Sequence, residues 1–185
     1  MTARPAAPEL TDGHIRLRGP REDDIPAITA ASQDPDIARW TMVPSGYTED
    51  DALAFVRGTH RPGGDEISLV ILDAATEELL GTIGLRIDGP AGVGDIGYWV
   101  KREARGRGVA TRAVRLVATW AFAARGLGRI ELMAATENAA SRRVAERAGF
   151  TLEGILRARL PGPDGRLDAA LYSLLPSDLG GGAQG

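Results

Sequence analysis

The sequence predicts a single α+β domain, a mostly antiparallel sheet flanked by helices, and three observations predict it. The chain has 185 residues, enough to bury a core and too few for two catalytic domains. Apolar residues recur at every second position over residues 67–72 and 79–87, as in half-buried strands, but at every third or fourth position over residues 109–124, as in an amphipathic helix. In chain order the segments read strand, two helices, three strands, helix, strand, helix, two strands. Helices therefore interrupt an antiparallel sheet instead of alternating with parallel strands, and no internal repeat divides the chain.

The elements follow in order. Residues 1–9, rich in Ala and Pro, are expected to be a disordered N-terminal segment; the domain proper occupies residues 10–179, and the glycine-rich stretch 180–185 is expected to be a disordered tail. A short strand over residues 14–18 alternates apolar and polar positions. Asp23 or Asp24 then caps a helix that carries Pro26 in its first turn and runs toward Gln33. Thr48 opens a second helix with Glu49, Asp50 and Asp51 at its positive end, closing near Arg57. The strands at 67–72 and 79–87 are joined by the polar stretch 73–78, which reads as a hairpin connection. A strand over 94–100 leads into the basic glycine segment 102–108. Val109, Ala113, Leu116, Val117, Trp120 and Ala124 then share a helical face until Gly126 and Gly128 stop it. A strand at 129–135, a short helix at 139–147 closed by Gly149, and strands at 150–156 and 167–175 complete the chain.

Composition excludes several classes of function. Hydrophobic residues at 43% and charged residues at 25% describe a globular chain, and a net charge of -3 argues against a nucleic-acid binder driven by phosphate neutralisation. With no cysteine there is no thiolate nucleophile, so acyl transfer cannot pass through an enzyme thioester; two lone histidines, His14 and His60, cannot build a metal centre. No run of eighteen apolar residues is present, and prolines stand where a signal peptide needs an apolar block, so the expectation is a cytoplasmic protein without membrane contact, a monomer or homodimer.

The chemistry concentrates at Arg105-Gly106-Arg107-Gly108-Val109-Ala110, between a strand and the long helix. A helix N-terminus offers unpaired N–H groups and partial positive charge, and glycine lets main chain approach an anion without an intervening Cβ. Phosphate binding and a plain glycine turn with solvated arginines both fit these residues. A Walker loop does not, since no Gly-Lys-Ser/Thr follows, and the dinucleotide fingerprint fails because Thr111 stands at its third small position, which disfavours an oxidoreductase.

Taken together, Ile96-Gly97-Tyr98-Trp99-Val100, Arg105-x-x-Gly108-x-Ala110, Asn138-x-x-Ser141 and Glu146-Arg147-Ala148-Gly149-Phe150 resemble the GCN5-related N-acetyltransferases. The segment from Leu17 to Asp24, the stretch Phe150-Thr151-Leu152-Glu153-Gly154, and Asp168 with Leu171-Tyr172-Ser173-Leu174-Leu175 look like the Rim-type branch, whose members acetylate N-termini of ribosomal proteins. The resemblance covers the chain from Ile15 to Leu175. It implies central strands that splay apart, with the pantetheine arm of acetyl-CoA in the gap, bonded to backbone near Trp99 and Val100. The pyrophosphate would rest on Arg105, Gly106, Arg107, Gly108, Val109 and Ala110. An amine would attack the thioester directly, with a backbone N–H near Val100 facing the oxyanion.

The same resemblance gives Ser141 the role of assisting departure of the thiolate; many relatives use a tyrosine four residues on, where this chain has Ala145. Ser141 could instead only decorate the first turn of its helix, and Asn138 could bond pantetheine, cap that helix, or both. Asp95 stands where relatives often carry a glutamate base, and Glu131 and Glu153 lie on neighbouring strands as rim carboxylates. Met133 replaces the base glutamate of another Rim-type subgroup. Trp40, beside Pro44-Ser45-Gly46, is the aromatic expected in the acceptor pocket, whereas Tyr47 and Trp99 read as core. The resemblance thus implies transfer of acetyl from acetyl-CoA to a primary amine, either a protein N-terminus or a small amine such as an antibiotic or polyamine, with no metal. A CoA-binding regulatory module without turnover is the alternative from another class.

Overall fold

The computed structural model describes residues 7–58, 65–162 and 165–179. Its strands are β1 (Leu10–Thr11), β2 (Ile15–Arg18), β3 (Asp65–Asp73), β4 (Leu79–Asp88), β5 (Val93–Val100), β6 (Arg129–Ala135), β7 (Thr151–Gly162) and β8 (Gly165–Leu174). Helices α1 (Ile25–Ser32), α2 (Pro35–Trp40) and α3 (Glu49–Arg57) precede β3; α4 (Val109–Arg125) links β5 to β6, α5 (Ala139–Ala148) links β6 to β7, and α6 (Pro176–Leu179) follows β8. The strands form one sheet in the order β1-β2-β3-β4-β5-β6-β8-β7. Every described pairing is antiparallel except β5 with β6, which is parallel because the α4 crossover returns the chain to the same end of the sheet.

The two-residue period of β3 explains the layering. Leu69 and Ile71 face one way into a core shared with α4, α5, Ile83, Leu85, Ile96 and Ile130; Val70 and Leu72 face the other way, against Ile28, Ile37, Tyr47, Ala52 and Trp99. Helices thus cover both faces, and β3 reads as a continuous apolar run instead of an alternating one. Gly126 ends α4 and Gly149 ends α5, at φ of 64° and 96°, the left-handed stops expected of them.

Several elements differ from the sequence expectation. Helix α2 escapes periodicity because six residues show less than two turns, although Asp34 caps it through the Asp36 amide and Pro35 begins it. Strand β7 extends well beyond residue 156, continuing to Gly162 past an irregularity in its register between Leu156 and Leu160, where Ala158 has φ 50°. Residues 7–9 lead into the sheet, where Glu9 pairs with Arg16 at 3.0 Å. Residues 1–6, the stretch 180–185 and His60 lie outside the described residues.

Asp24 precedes α1 but does not cap it with its side chain. Its carboxylate instead receives both terminal nitrogens of Arg18 at 2.8 Å and the Arg21 amide at 2.7 Å, with both ion-pair partners only 8% exposed. Burial pushes the Asp24 carboxyl up, yet the Arg18 and Arg21 bonds outweigh it and hold the group below its ordinary value. Because the folded pKa is depressed, the pair's contribution is present above pH 4 and is lost as pH falls toward the folded value. Arg18→Met leaves a buried carboxylate without its cation and should cost about 3–5 kcal/mol at pH 7 by urea unfolding. The deficit relative to the parent should shrink on acidification; a deficit independent of pH would contradict this account.

Candidate functional site

The site begins where the sheet opens. Strands β5 and β6 pair at only three positions, Val93 with Arg129, Gly94 with Ile130 and Asp95 with Glu131. Gly94 leaves room for core side chains at this point, since a Cβ there would lie 2.7 Å from Leu85 and 2.9 Å from Leu127. Beyond Asp95 the partners part: β5 stays with β4, and β6 stays with β8. A cavity of about 880 Å³ occupies the divergence and reaches both faces of the sheet.

On the α4 side, backbone direction follows from one bond. The Lys101 amide donates to the Leu80 carbonyl, so Val100 and Gly81 form a non-hydrogen-bonded pair. By alternation the N–H and C=O of Val100, and those of Tyr98, point away from β4 into the gap. Arg105 Nε occupies the Val100 carbonyl at 3.1 Å, which leaves the Val100 N–H as the donor facing the cavity. Trp99 is one residue out of phase: its carbonyl lies against Gly81 of β4 and its indole packs among α1–α3. The expected backbone contact therefore fits Val100 and not Trp99.

Gly106 and Gly108 adopt φ of 75° and 78°, and nothing lies within 4 Å of where either Cβ would stand. With Gly108 as its N-cap residue, α4 starts with no side-chain cap and no acid in its first turn, so the amides of Val109, Ala110 and Thr111 lack an internal acceptor and line the cavity. The arginines behave differently from expectation. Arg105 reaches Asp34 at 2.7 Å and Asp36 at 3.1 Å, which commits its guanidinium to the start of α2; Arg102 joins the cluster through Asp34 at 2.9 Å. The Arg102 hydrogen bond leads in holding the Asp34 carboxyl down at about 2, against the opposing effect of burial. Arg107 turns toward Asp73, 4.0 Å away, and does not line the cavity. The main-chain amides at the start of α4, not the guanidinium of Arg107, are what this turn presents to the cavity.

At the head of α5, the Asn138 side chain accepts from the Ser141 amide at 3.0 Å, so Asn138 is the cap. The Ser141 hydroxyl is thereby released from capping and shares a hydrogen bond with the Tyr98 hydroxyl at 2.9 Å. Burial pushes the Tyr98 phenol up to about 12, with the Ser141 bond opposing it. Sequence reasoning missed Tyr98; its signal was a polar-tipped aromatic between Ile96 and Val100 on the core-facing side of β5.

The opposite face of the sheet, where the sequence placed the acceptor pocket, also borders the cavity. Ser68, Gly84 and Gly97 lie side by side across β3, β4 and β5, so the floor there has almost no side chains. Trp40 borders the cavity with Arg39 stacked 4.5 Å from its ring centre; Tyr47 and Trp99 border it too, as members of the packed cluster. Asp95 lines the cavity and is paired with Arg86 at 2.9 Å. Glu131 and Glu153 do not line it: Arg129 holds Glu131 at 2.8 Å and Glu153 at 2.5 Å. Arg129 and then Ser173 hold the Glu153 carboxyl at about 2. Met133 contributes an apolar wall.

A family model described as an acetyltransferase (GNAT) domain matches residues 14–151. The chain belongs to the GNAT acetyltransferase family. Mycobacterium smegmatis RimJ, solved in complex with CoA-disulfide, superposes on this GNAT chain with TM-score 0.80 at 24% identity, covering 96% of this chain and 90% of RimJ. A structure from T. thermophilus, provisionally described as an acetyltransferase, also gives TM-score 0.80, at 26% identity over 95% and 94% of the two chains. Among curated proteins, YdaF of Bacillus subtilis strain 168, provisionally named a ribosomal N-acetyltransferase, is 40% identical over 87 residues, 47% of this chain and 48% of YdaF. The matched stretch thus spans about half of that relative.

Proposed function

We propose that this chain is an acetyl-CoA-dependent N-acetyltransferase that passes acetyl directly to a primary amine, and that the amine is a protein N-terminal α-amine. The observation that carries the reading is the β5–β6 divergence, which opens at one end on the Gly106–Gly108 turn and at the other on the Ser141 hydroxyl. Acetyl-CoA supplies an activated thioester. The chain's own groups then have separate tasks: the first amides of α4 hold the pyrophosphate, the Val100 N–H polarises the carbonyl oxygen, and Ser141 meets the departing sulfur. Asp95 borders the acceptor side, but its pairing with Arg86 favours a role in orienting water or amine over that of a strong base. The naming of YdaF as a ribosomal N-acetyltransferase supports a ribosomal acceptor.

Thermal shift with acetyl-CoA, coenzyme A and NAD, followed by thiol release with free-N-terminus peptides, tests the reading. Stabilisation by both CoA forms with turnover is expected; binding without turnover on any amine would leave a CoA-binding module, and stabilisation by NAD alone would exclude the acetyltransferase.

Gly108→Val tests the anion seat. It places a β-branched side chain at φ 78° and projects it into the open space before the α4 amides. Acetyl-CoA affinity should fall by about 1–3 kcal/mol, roughly fivefold to 150-fold, through misaligned phosphate bonds, while the fold is retained. Calorimetry on the folded variant giving parental affinity would remove the phosphate from this turn.

A further inference from the structure

We infer that Tyr98 is a positioning residue for Ser141: its phenol donates to the Ser141 oxygen, so that the single Ser141 proton is aimed at the sulfur of bound coenzyme A. The inference rests on the proposed acetyl-CoA chemistry and goes beyond it, because it concerns a residue on a different strand acting through the serine.

Geometry supplies the first part of the argument. Tyr98 belongs to β5 and Ser141 to α5, which follows β6, so their 2.9 Å bond bridges the two sides of the divergence. Both residues line the cavity, and Tyr98 packs against the main core through the rest of its ring. The phenol is thus held from behind while its oxygen meets the serine.

Proton counting supplies the second part. Each hydroxyl has one proton and can accept as well as donate. If Ser141 donated to Tyr98, no proton would remain for the sulfur; if Tyr98 donates to Ser141, the serine proton is free for it. As the amine nitrogen bonds to the carbonyl carbon, the C–S bond breaks and its electron pair leaves on sulfur; the amine proton passes to water. The chain Tyr98 O–H to Ser141 O–H to sulfur then satisfies every member, and each bond polarises the next. Burial keeps the phenol protonated at working pH, so ionisation does not reverse the chain. Without Tyr98, nothing fixes the rotation of the serine hydroxyl, and its proton is no longer directed at the sulfur.

Coenzyme A itself is the probe, and no acceptor is required. The pH dependence of its binding, measured by calorimetry from pH 7.5 to 10, reports the pKa of the bound thiol, ordinarily near 8.5. The charged side chains lining the cavity are Asp36, Arg39, Asp51, Glu66, Arg86, Asp95, Arg105, Arg143 and Arg147; no histidine, lysine or cysteine is among them. Donation to sulfur favours the thiolate, so in the parent the bound thiol should titrate below its free value. Tyr98→Phe should return it most of the way, by a tenfold change in thiolate preference or less, with the affinity for acetyl-CoA unchanged. Ser141→Ala should return it fully, and the double variant should equal Ser141→Ala alone. Equal effects of Tyr98→Phe with and without the serine, or a thiol unmoved by Tyr98→Phe, would overturn the inference while leaving the acetyltransferase reading intact. Failure of the parent to bind coenzyme A would overturn both.

Discussion

Ser141→Ala should lower kcat by roughly tenfold to a thousandfold, the usual range for assistance to a proton-transfer or leaving-group step, with the acetyl-CoA dissociation constant nearly unchanged. The structure makes this substitution clean. Asn138, not Ser141, accepts the α5 amide hydrogen bond, so the cap survives removal of the hydroxyl, and alanine is the best helix former for the position. What is lost is one hydroxyl beside the sulfur, together with the acceptor for Tyr98. A thiolate is a good leaving group, which sets the upper end of the range. A developing thiolate that loses one directed donor is nonetheless less well stabilised, which sets the lower end. Single-turnover and steady-state rates with saturating acetyl-CoA check it; full turnover in the variant would return Ser141 to a helix-surface role.

One strand separates the two halves of the reaction. Along β5, Ile96, Tyr98 and Val100 address α4, α5 and the cofactor gap, whereas Asp95, Gly97 and Trp99 address the face covered by α1–α3. Alternation alone therefore puts Tyr98, with its Ser141 partner, and Asp95 on opposite sides of the same backbone, the two sides to which the proposed reaction assigns sulfur and amine. The gap lets the two sides meet. It exists because β6 leaves β5 after three paired positions. The Arg102 and Arg105 cluster with Asp34 and Asp36 then ties the anion turn to α2, the helix that ends at Trp40.

What the sequence made legible follows the range of each signal. Strands β3 to β6 and helices α4 and α5 were readable because period and glycine stops act over neighbouring residues, and the Gly106–Gly108 turn was readable as a backbone feature because its glycines run into a helix start. The roles of the arginines were not. Arg105 and Arg107 look alike in a basic segment, and only the tertiary placement of Asp34 and Asp36, about seventy positions earlier, turns Arg105 inward as a strut. Asp24 gave the right helix boundary for the wrong reason, since its carboxylate serves Arg18. The Tyr98 contact joins positions 43 apart and has no local pattern. The glycine floor of the acceptor pocket depends on the register of three strands, which no single run of residues specifies.

Peptides with a free small N-terminal residue should be acetylated at least tenfold faster than peptides whose N-terminus is blocked and whose only amine is lysine. Only the neutral amine attacks. An α-amine with pKa near 8 is roughly a tenth neutral at pH 7, whereas a lysine amine near 10.4 is neutral in roughly one molecule in 2,500, a difference of about two hundredfold. The more basic nitrogen is the better nucleophile once neutral; a Brønsted slope of about 0.4, as found for thiols, recovers roughly tenfold of that deficit. A strong carboxylate base at the amine would recover the rest. Of the carboxylates that line the cavity, Asp95 is paired with Arg86, Asp36 with Arg105 and Asp51 with the Thr48 cap, and Glu66, near the Gly84 floor, is the one to test; Glu131 and Glu153 are bound to Arg129 outside the cavity. The preference should narrow as pH rises from 7 to 9, since the α-amine saturates while the lysine amine keeps gaining its neutral form. Competition between the two peptides at each pH, read by mass spectrometry, measures the ratio directly; faster lysine acetylation at pH 7 would refute the α-amine assignment and would require a cavity carboxylate, Glu66 or Asp95, to act as an effective base.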